Sequence, residues 1–218
     1  MNKTSEYIQK KFNLDLGGQL PIGIKTSRRT GFLELFDELG FKVGVEIGVW
    51  TGRYAKFLCS KIRGLKLSCI DPWISYDEYV EYHDEAGQII LNEALEKAKG
   101  RLAPFNCEFI RKYSMDAVKD FKDESLDFVF IDGNHSFQYV INDIAEWSKK
   151  VRPGGIVAGH DYWISTERKP SLTYTPTQDE LIRLCQVKEA VLGWTKANQI
   201  QPWYIITSDS CPSWFWVK

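Results

Sequence analysis

The chain has 218 residues, with 28 Lys+Arg against 29 Asp+Glu and a net charge of −1. That length suits one α/β domain with a substantial core, and the balanced charge leaves no electrostatic footprint for a nucleic-acid backbone or an anionic membrane. Cys59, Cys69, Cys107, Cys185 and Cys211 are scattered without a CxxC pair, and no leader follows Met1 and no apolar stretch approaches the length of a membrane span. The expectation is a soluble cytoplasmic protein with reduced, mostly buried thiols.

Residues 1–29, broken by Gly17-Gly18 and Pro21, are expected to form an N-terminal arm, followed by a single domain over 30–218. Phe32, Leu33, Leu35, Phe36 and Leu39 recur at helical spacing and stop at Gly40, a glycine cap. Lys42 to Val49 predicts the first strand, Tyr54, Phe57, Leu58 and Ile62 a helix, and Leu65 to Asp71 the second strand. This is a βαβ unit with a right-handed crossover. The aromatic and polar run from Trp73 to Asp84 is too rich for a simple connector and is expected to cover or wall an acceptor site.

Ala86, Ile89, Ile90, Ala94, Leu95 and Ala98 mark the next helix, Phe105 to Lys112 a third strand and Met115 to Phe121 a short helix. Leu126 to Asp132 is almost wholly apolar and predicts a strand buried on both faces. Val140, Ile141, Ile144, Trp147 and Val151 give the following helix an apolar stripe. Pro153-Gly154-Gly155 then turns the chain into a fifth strand, Ile156 to His160. Residues 162–176 form a second candidate substrate loop, and Glu180 to Val187 reads as helix. Ala190 to Trp194, Pro202 to Thr207 and Trp214 to Val217 are expected as antiparallel additions to the sheet edge, with a turn over Asp209 to Ser213. The Trp-rich end reads as core, and a homo-oligomer stays open.

Polar groups gather where strands end: Glu46-Ile47-Gly48-Val49-Trp50-Thr51-Gly52, Asp71-Pro72-Trp73, Asp132-Gly133-Asn134-His135 and His160-Asp161. In an open parallel sheet, ligands sit beyond the carboxyl ends of the strands, and glycine lets the backbone come close to them. The first turn reads Glu-x-Gly-x-x-x-Gly, unlike the Gly-x-Gly-x-x-Gly of dehydrogenases, and no Asn/Asp-Pro-Pro-aromatic tip of a nucleic-acid base methyltransferase is present. Asp71 is placed to accept both hydroxyls of a ribose, because an ionised carboxylate offers two acceptor oxygens.

These segments, with Arg152-Pro153-Gly154-Gly155 leading to Gly159-His160-Asp161-Tyr162, resemble class I S-adenosylmethionine-dependent methyltransferases. More narrowly they resemble the small-molecule O-methyltransferase group that includes the macrocin and mycinamicin sugar methyltransferases and, more remotely, catechol O-methyltransferase. The resemblance implies a Rossmann-like fold: a mostly parallel seven-stranded sheet with antiparallel C-terminal strands and helices on both faces. It implies S-adenosyl-L-methionine held by Glu46, Gly48, Val49, Trp50, Thr51, Gly52, Asp71, Pro72, Trp73, Ser114, Met115 and Asp132.

It further implies a divalent metal on Asp132, His160 and Asp161. Mg²⁺ or Mn²⁺ is expected, with Fe²⁺ or Zn²⁺ open because His160 stands where the family has an acid or amide. His135 would act as general base beside Asp132. The implied acceptor is a hydroxylated small molecule (a sugar, glycosylated metabolite or catechol-like compound), and Trp73, Tyr76, Tyr79, Trp163 and Tyr174 are candidates to stack on it. A metal-independent methyltransferase and an inactive cofactor- or partner-binding protein of the same fold are the alternatives.

Overall fold

The computed structural model describes residues 2–76, 85–162 and 185–218. Its strands are β1 (Ile22–Ile24), β2 (Val43–Ile47), β3 (Lys66–Ile70), β4 (Cys107–Ile110), β5 (Leu126–Ile131), β6 (Val151–Gly159), β7 (Trp203–Ile206) and β8 (Ser213–Val217). They share one sheet in the order β1-β7-β8-β6-β5-β2-β3-β4. Every neighbouring pair is parallel except those made by β8, which runs against both β6 and β7.

Helices α1 (Lys3–Phe12), α2 (Gly31–Glu38), α3 (Arg53–Lys61), α4 (Glu85–Leu102), α5 (Ser114–Ala117), α6 (Phe137–Lys150) and α7 (Val187–Ala197) connect and cover the strands. Along β5 the side chains divide by the two-residue period of a strand. Phe128 and Phe130 enter one apolar layer with Phe32, Phe36 and Leu58, whereas Val129 and Ile131 enter the other with Ile144, Trp147 and Val191. Both faces of β5 are therefore dry, as its apolar run requires, and each fully buried aromatic contributes roughly 2–3 kcal/mol relative to exposure.

The sheet has one strand more than the expected seven. Residues 22–24 of the N-terminal segment pair with β7, and α1 is pinned to the far rim by Thr4, whose hydroxyl donates to the Gly154 carbonyl at 2.8 Å. The expected strand at Ala190 to Trp194 is instead part of α7. Val187, Ala190, Val191 and Thr195 are its buried residues, a helical spacing that a five-residue apolar run does not display by itself. In α4 the buried face is Gly87, Leu91, Ala94, Leu95, Ala98 and Leu102, while Ile89 and Ile90 are exposed. Trp214, Phe215 and Trp216 are core, as expected. No disulfide links the five cysteines, and no described helix is long and apolar enough to cross a membrane.

The strand order reverses between β2, which continues outward through β3 and β4, and β5, which continues the other way through β6. That reversal opens a crevice at the carboxyl tips of β2 and β5.

Candidate active site

Gly48 lies at the mouth of the crevice with φ +82°, and a Cβ there would stand 1.9 Å from the Asp132 carbonyl oxygen. Only glycine tolerates both the left-handed backbone and that approach. The tips are locked to one another: Gly48 N–H donates to Ile70 O at 2.9 Å, Asp132 N–H to Ile47 O at 2.9 Å and His160 N–H to Ile131 O at 3.1 Å. All four polar tips read from the sequence thus reach one rim.

Asp71 braces two turns. Its Oδ2 accepts from Trp50 N–H at 2.9 Å and its Oδ1 from Trp73 N–H at 2.8 Å. Burial raises its pKa, and these amides recover part of that shift. The Val49 amide also acts on this carboxylate, which retains acceptor capacity for a ligand, and Asp71 lines the main cavity. Trp73 is fully buried and its indole N–H donates to Trp50 O at 2.9 Å. It therefore supports the turn from behind and does not stack on an acceptor as expected. Tyr79, His83, Trp163, Tyr174 and most of the two candidate substrate loops lie outside the described residues.

The main cavity, about 600 Å³, has Gly48, Trp50, Asp71, Pro72, Met115 and Asp132 in its wall. Tyr76 also lines it, edge-on to Tyr113 with ring centroids 5.6 Å apart, and its hydroxyl accepts from Asn134 Nδ2 at 3.2 Å. Ser114, expected among the cofactor-holding residues, lines the same cavity. Its hydroxyl donates to Asp143 in a short hydrogen bond and accepts from Trp147 Nε1 at 2.7 Å.

Asp143 is 4 % exposed, and burial raises its pKa to about 7 despite the hydrogen bond from Ser114. An unfolded aspartate titrates near 3.9, so the folded protein holds a proton that the unfolded chain has released, and stability falls as pH rises from about 4 to 7. The slope approaches about 1.4 kcal/mol per pH unit. Asp143→Asn is expected to remove it, leaving the variant more stable than the parent above pH 7 and no more stable at pH 4. Denaturant unfolding at both pH values checks this.

A second hollow of about 270 Å³ adjoins the first and shares Gly48, Trp50 and Asp132 with it. Arg28 and Glu46 face it, and each carries a buried polar atom, Nη1 and Oε2, that makes no hydrogen bond among the described residues; so does Thr51 Oγ1. The Arg28 guanidinium rests on the Tyr54 ring, 4.9 Å from its centroid, with Nη1 3.8 Å from Asp132 Oδ2. Its backbone is fixed by Asp209, which accepts from Arg28 N–H at 2.6 Å and from the Ser27 hydroxyl at 2.8 Å. Burial holds the Glu46 carboxyl well above the usual carboxylate range, and the nearby Asp132 adds to the effect. Val49 and Thr51 line this hollow, whereas Gly52 serves as the left-handed entry to α3. Arg28 escaped the sequence reading because nothing local marks an arginine eighteen residues before Glu46 as a neighbour of the β2 tip.

Beside both cavities Asp132, His135, His160 and Asp161 form a ring. His135 Nε2 lies 3.5 Å from Asp132 Oδ1 and 3.1 Å from Asp161 Oδ2; His160 Nδ1 lies 3.7 Å from Asp132 Oδ1 and 3.3 Å from Asp161 Oδ1. Burial opposes charge on all four, yet mutual attraction wins. The pKa of Asp132 drops to about 2 and that of Asp161 is lowered, while that of His135 is raised and that of His160 climbs to about 12.

The ring also fits a divalent ion. Ligands about 2.1 Å from a metal are separated by about 3.0–3.4 Å, close to these spacings, and an ion would take the place of the imidazole protons. Asp132, His135 and Asp161 place one donor atom each within 4.8 Å of one another. His160, expected with Asp132 and Asp161, forms the equivalent group with Asp161 and Cys211.

A family model described as a methyltransferase domain matches residues 45–162, a span that carries all four strand tips. The uncharacterized protein R132 of Acanthamoeba polyphaga mimivirus is 32 % identical over 124 residues, 54 % of this chain and 50 % of that protein. The chain thus spans about half the length of the curated relative it matches. Among solved structures, a candidate caffeoyl-CoA O-methyltransferase of Staphylococcus aureus superposes with TM-score 0.62 at 11 % identity, covering 100 % of this chain and 93 % of that one. The O-methyltransferase TomG of Streptomyces achromogenes, solved in complex with SAM, gives TM-score 0.56 at 16 % identity over 100 % and 91 %. At such identities the structures show a common fold, the Rossmann-like sheet of the methyltransferases. With the matched segment covering more than half of its length, and every motif of that segment at the crevice, the chain belongs to the methyltransferase domain family.

Proposed function

We propose that this protein transfers a methyl group from S-adenosyl-L-methionine to a hydroxyl of a small molecule, of sugar, glycosylated-metabolite or catechol-like type, with a divalent ion and His135 assisting. The observation that carries this reading is the pair of adjoining cavities that share Gly48, Trp50 and Asp132 in their walls beside the Asp/His ring. The larger cavity suits a nucleoside, with Asp71 for the ribose. The smaller suits an amino-acid head, since Arg28 complements a carboxylate and Glu46 an ammonium group. The bound donor supplies an activated sulfonium methyl, so the chain's own task is to position and deprotonate the acceptor.

Asp132 and Asp161 would hold the ion, whose contribution is to lower the pKa of a coordinated hydroxyl by several units. His135 Nε2 is buried and forms no hydrogen bond of good geometry among the described residues, which leaves it available to take the hydroxyl proton. The ion pairs already formed within the ring favour a second reading, in which His135 works with Asp161 and no metal. Methyl transfer to a panel of hydroxylated acceptors with and without chelator separates the two. Cysteines without disulfides suit a reducing compartment, in keeping with a cytoplasmic enzyme.

Calorimetry with S-adenosylhomocysteine tests the cofactor assignment, and absence of binding overturns it. Arg28→Met is expected to weaken that affinity by about 10- to 100-fold, the worth of a charged hydrogen bond. Affinity for 5′-methylthioadenosine, which lacks the amino-acid head, should be unchanged.

A further inference from the structure

Because β8 runs against its neighbours, its first residues arrive at the rim where β5 and β6 finish. Trp214 pairs with Gly159, and a Cβ on Gly159 would lie 2.3 Å from the Trp214 ring. Glycine lets the indole cross over β6 and donate to His160 O at 3.1 Å. Just before β8, Pro212 O accepts from Tyr162 N–H at 3.0 Å. These contacts deliver Cys211, remote in sequence, to the polar tip of β6.

Cys211 Sγ lies 2.6 Å from Asp161 Oδ1, and His160 Nδ1 lies 3.3 Å from the same oxygen. One imidazole nitrogen, one carboxylate oxygen and one sulfur thus stand within 4.8 Å of one another. The second oxygen of Asp161 turns to His135, so its carboxylate is shared by two adjacent donor groups. Asp161 holds this pose at φ +57°, a left-handed conformation uncommon outside glycine, though aspartate is among the residues that adopt it most readily.

We propose that His160, Asp161 and Cys211 form a binding site for a thiophilic divalent cation of the zinc class, bridged through Asp161 to the position between Asp132 and His135. This deepens the cation part of the reading above and rests on it. A thiolate with an imidazole and a carboxylate selects Zn²⁺, Co²⁺ or Fe²⁺ over Mg²⁺ or Ca²⁺, which take oxygen ligands. Three protein donors leave a fourth corner open to solvent or an acceptor. An ion held here ties the β6 tip to the turn before β8 and fixes the Asp161 oxygen that faces His135.

The test is a Co²⁺ titration of the full chain, stripped of metal beforehand and followed by absorption. A near-ultraviolet sulfur-to-cobalt charge-transfer band is expected to saturate, to be displaced by Zn²⁺ and to resist a large excess of Mg²⁺. Cys211→Ser should lose the band and bind Zn²⁺ at least about 10-fold more weakly, with its melting temperature confirming the fold. Cys185→Ser, whose native sulfur lies 3.8 Å from Asp161 O, should keep the band. If Cys211→Ser does not fold, alkylation of the parent protein gives the answer: Zn²⁺ should protect Cys211 and leave unchanged the alkylation rate of Cys107, whose thiol pKa is lowered by its contacts with Cys59 and Cys69.

Absence of the band, its survival in Cys211→Ser, its loss in Cys185→Ser, displacement by Mg²⁺, or Zn²⁺-independent alkylation of Cys211 each overturns the proposal. S-adenosylhomocysteine binding is measured on the same sample. Binding without the band sinks the cation site alone, whereas the band without binding sinks the methyl-transfer reading.

Discussion

Alanine at position 48 is expected to abolish S-adenosylhomocysteine binding and to lower the melting temperature by about 10 °C. Two costs combine. A non-glycine residue at φ +82° is strained by about 1–2 kcal/mol, and the new methyl would occupy the space of the Asp132 carbonyl oxygen, 1.9 Å away. Relief requires the β2 and β5 tips to part, which breaks the hydrogen bond from Asp132 N–H to Ile47 O and deforms both cavities at their shared wall. A total of about 3 kcal/mol corresponds to the stated shift for a domain of this size. Gly40→Ala is the control. Gly40 has φ +72°, but a Cβ added there would meet nothing within 4 Å, so it should show the backbone strain alone and bind S-adenosylhomocysteine normally. Equal effects of the two substitutions would show that close approach at the crevice does not matter.

His135→Gln is expected to reduce kcat by about 10²- to 10⁴-fold while leaving S-adenosylhomocysteine affinity unchanged, the mark of a lost general base. Only the neutral imidazole accepts a proton. Burial lowers the His135 pKa, but Asp161 and Asp132 outweigh it and the net shift is upward. In the metal-free reading, where no cation neutralises those carboxylates, the parent rate should therefore rise with pH along a limb centred above the ordinary histidine value of about 6.5, and the glutamine variant should lack that limb. The same upward shift means that His135 contributes folding stability at low pH, which is lost as pH rises through its folded-state value. An unchanged kcat, or a limb that persists in the variant, would remove His135 from the chemistry.

The strands and their tips were legible because each apolar run ends at a polar group, and β2, β3, β5 and β6 are central strands whose burial writes itself into composition. Edge elements were less visible. β1 has three residues and a single glycine between two isoleucines, too short for an alternation to stand out, and α7 shows its helical period only once Val187 and Thr195, on either side of the apolar run, are counted. Trp73 illustrates a different limit, since an aromatic beside a ligand-binding acid looks the same in sequence whether it faces the ligand or supports the turn. Arg28 and Cys211 reach the rim through tertiary contacts, one by way of Asp209 and the other through the reversed β8, and no spacing along the chain encodes either.

The reversal of β8 also fixes where the molecule can be handled. The residue that closes this strand leaves at the rim farthest from the crevice, where Lys218 O accepts from Gly154 N–H at 2.7 Å and from the Asn2 side chain at 3.3 Å. Residues 2 and 218 are thus near neighbours, and a tether placed at either one starts on the side of the sheet opposite the crevice. Immobilisation through such a handle would present the ligand entrance to solution.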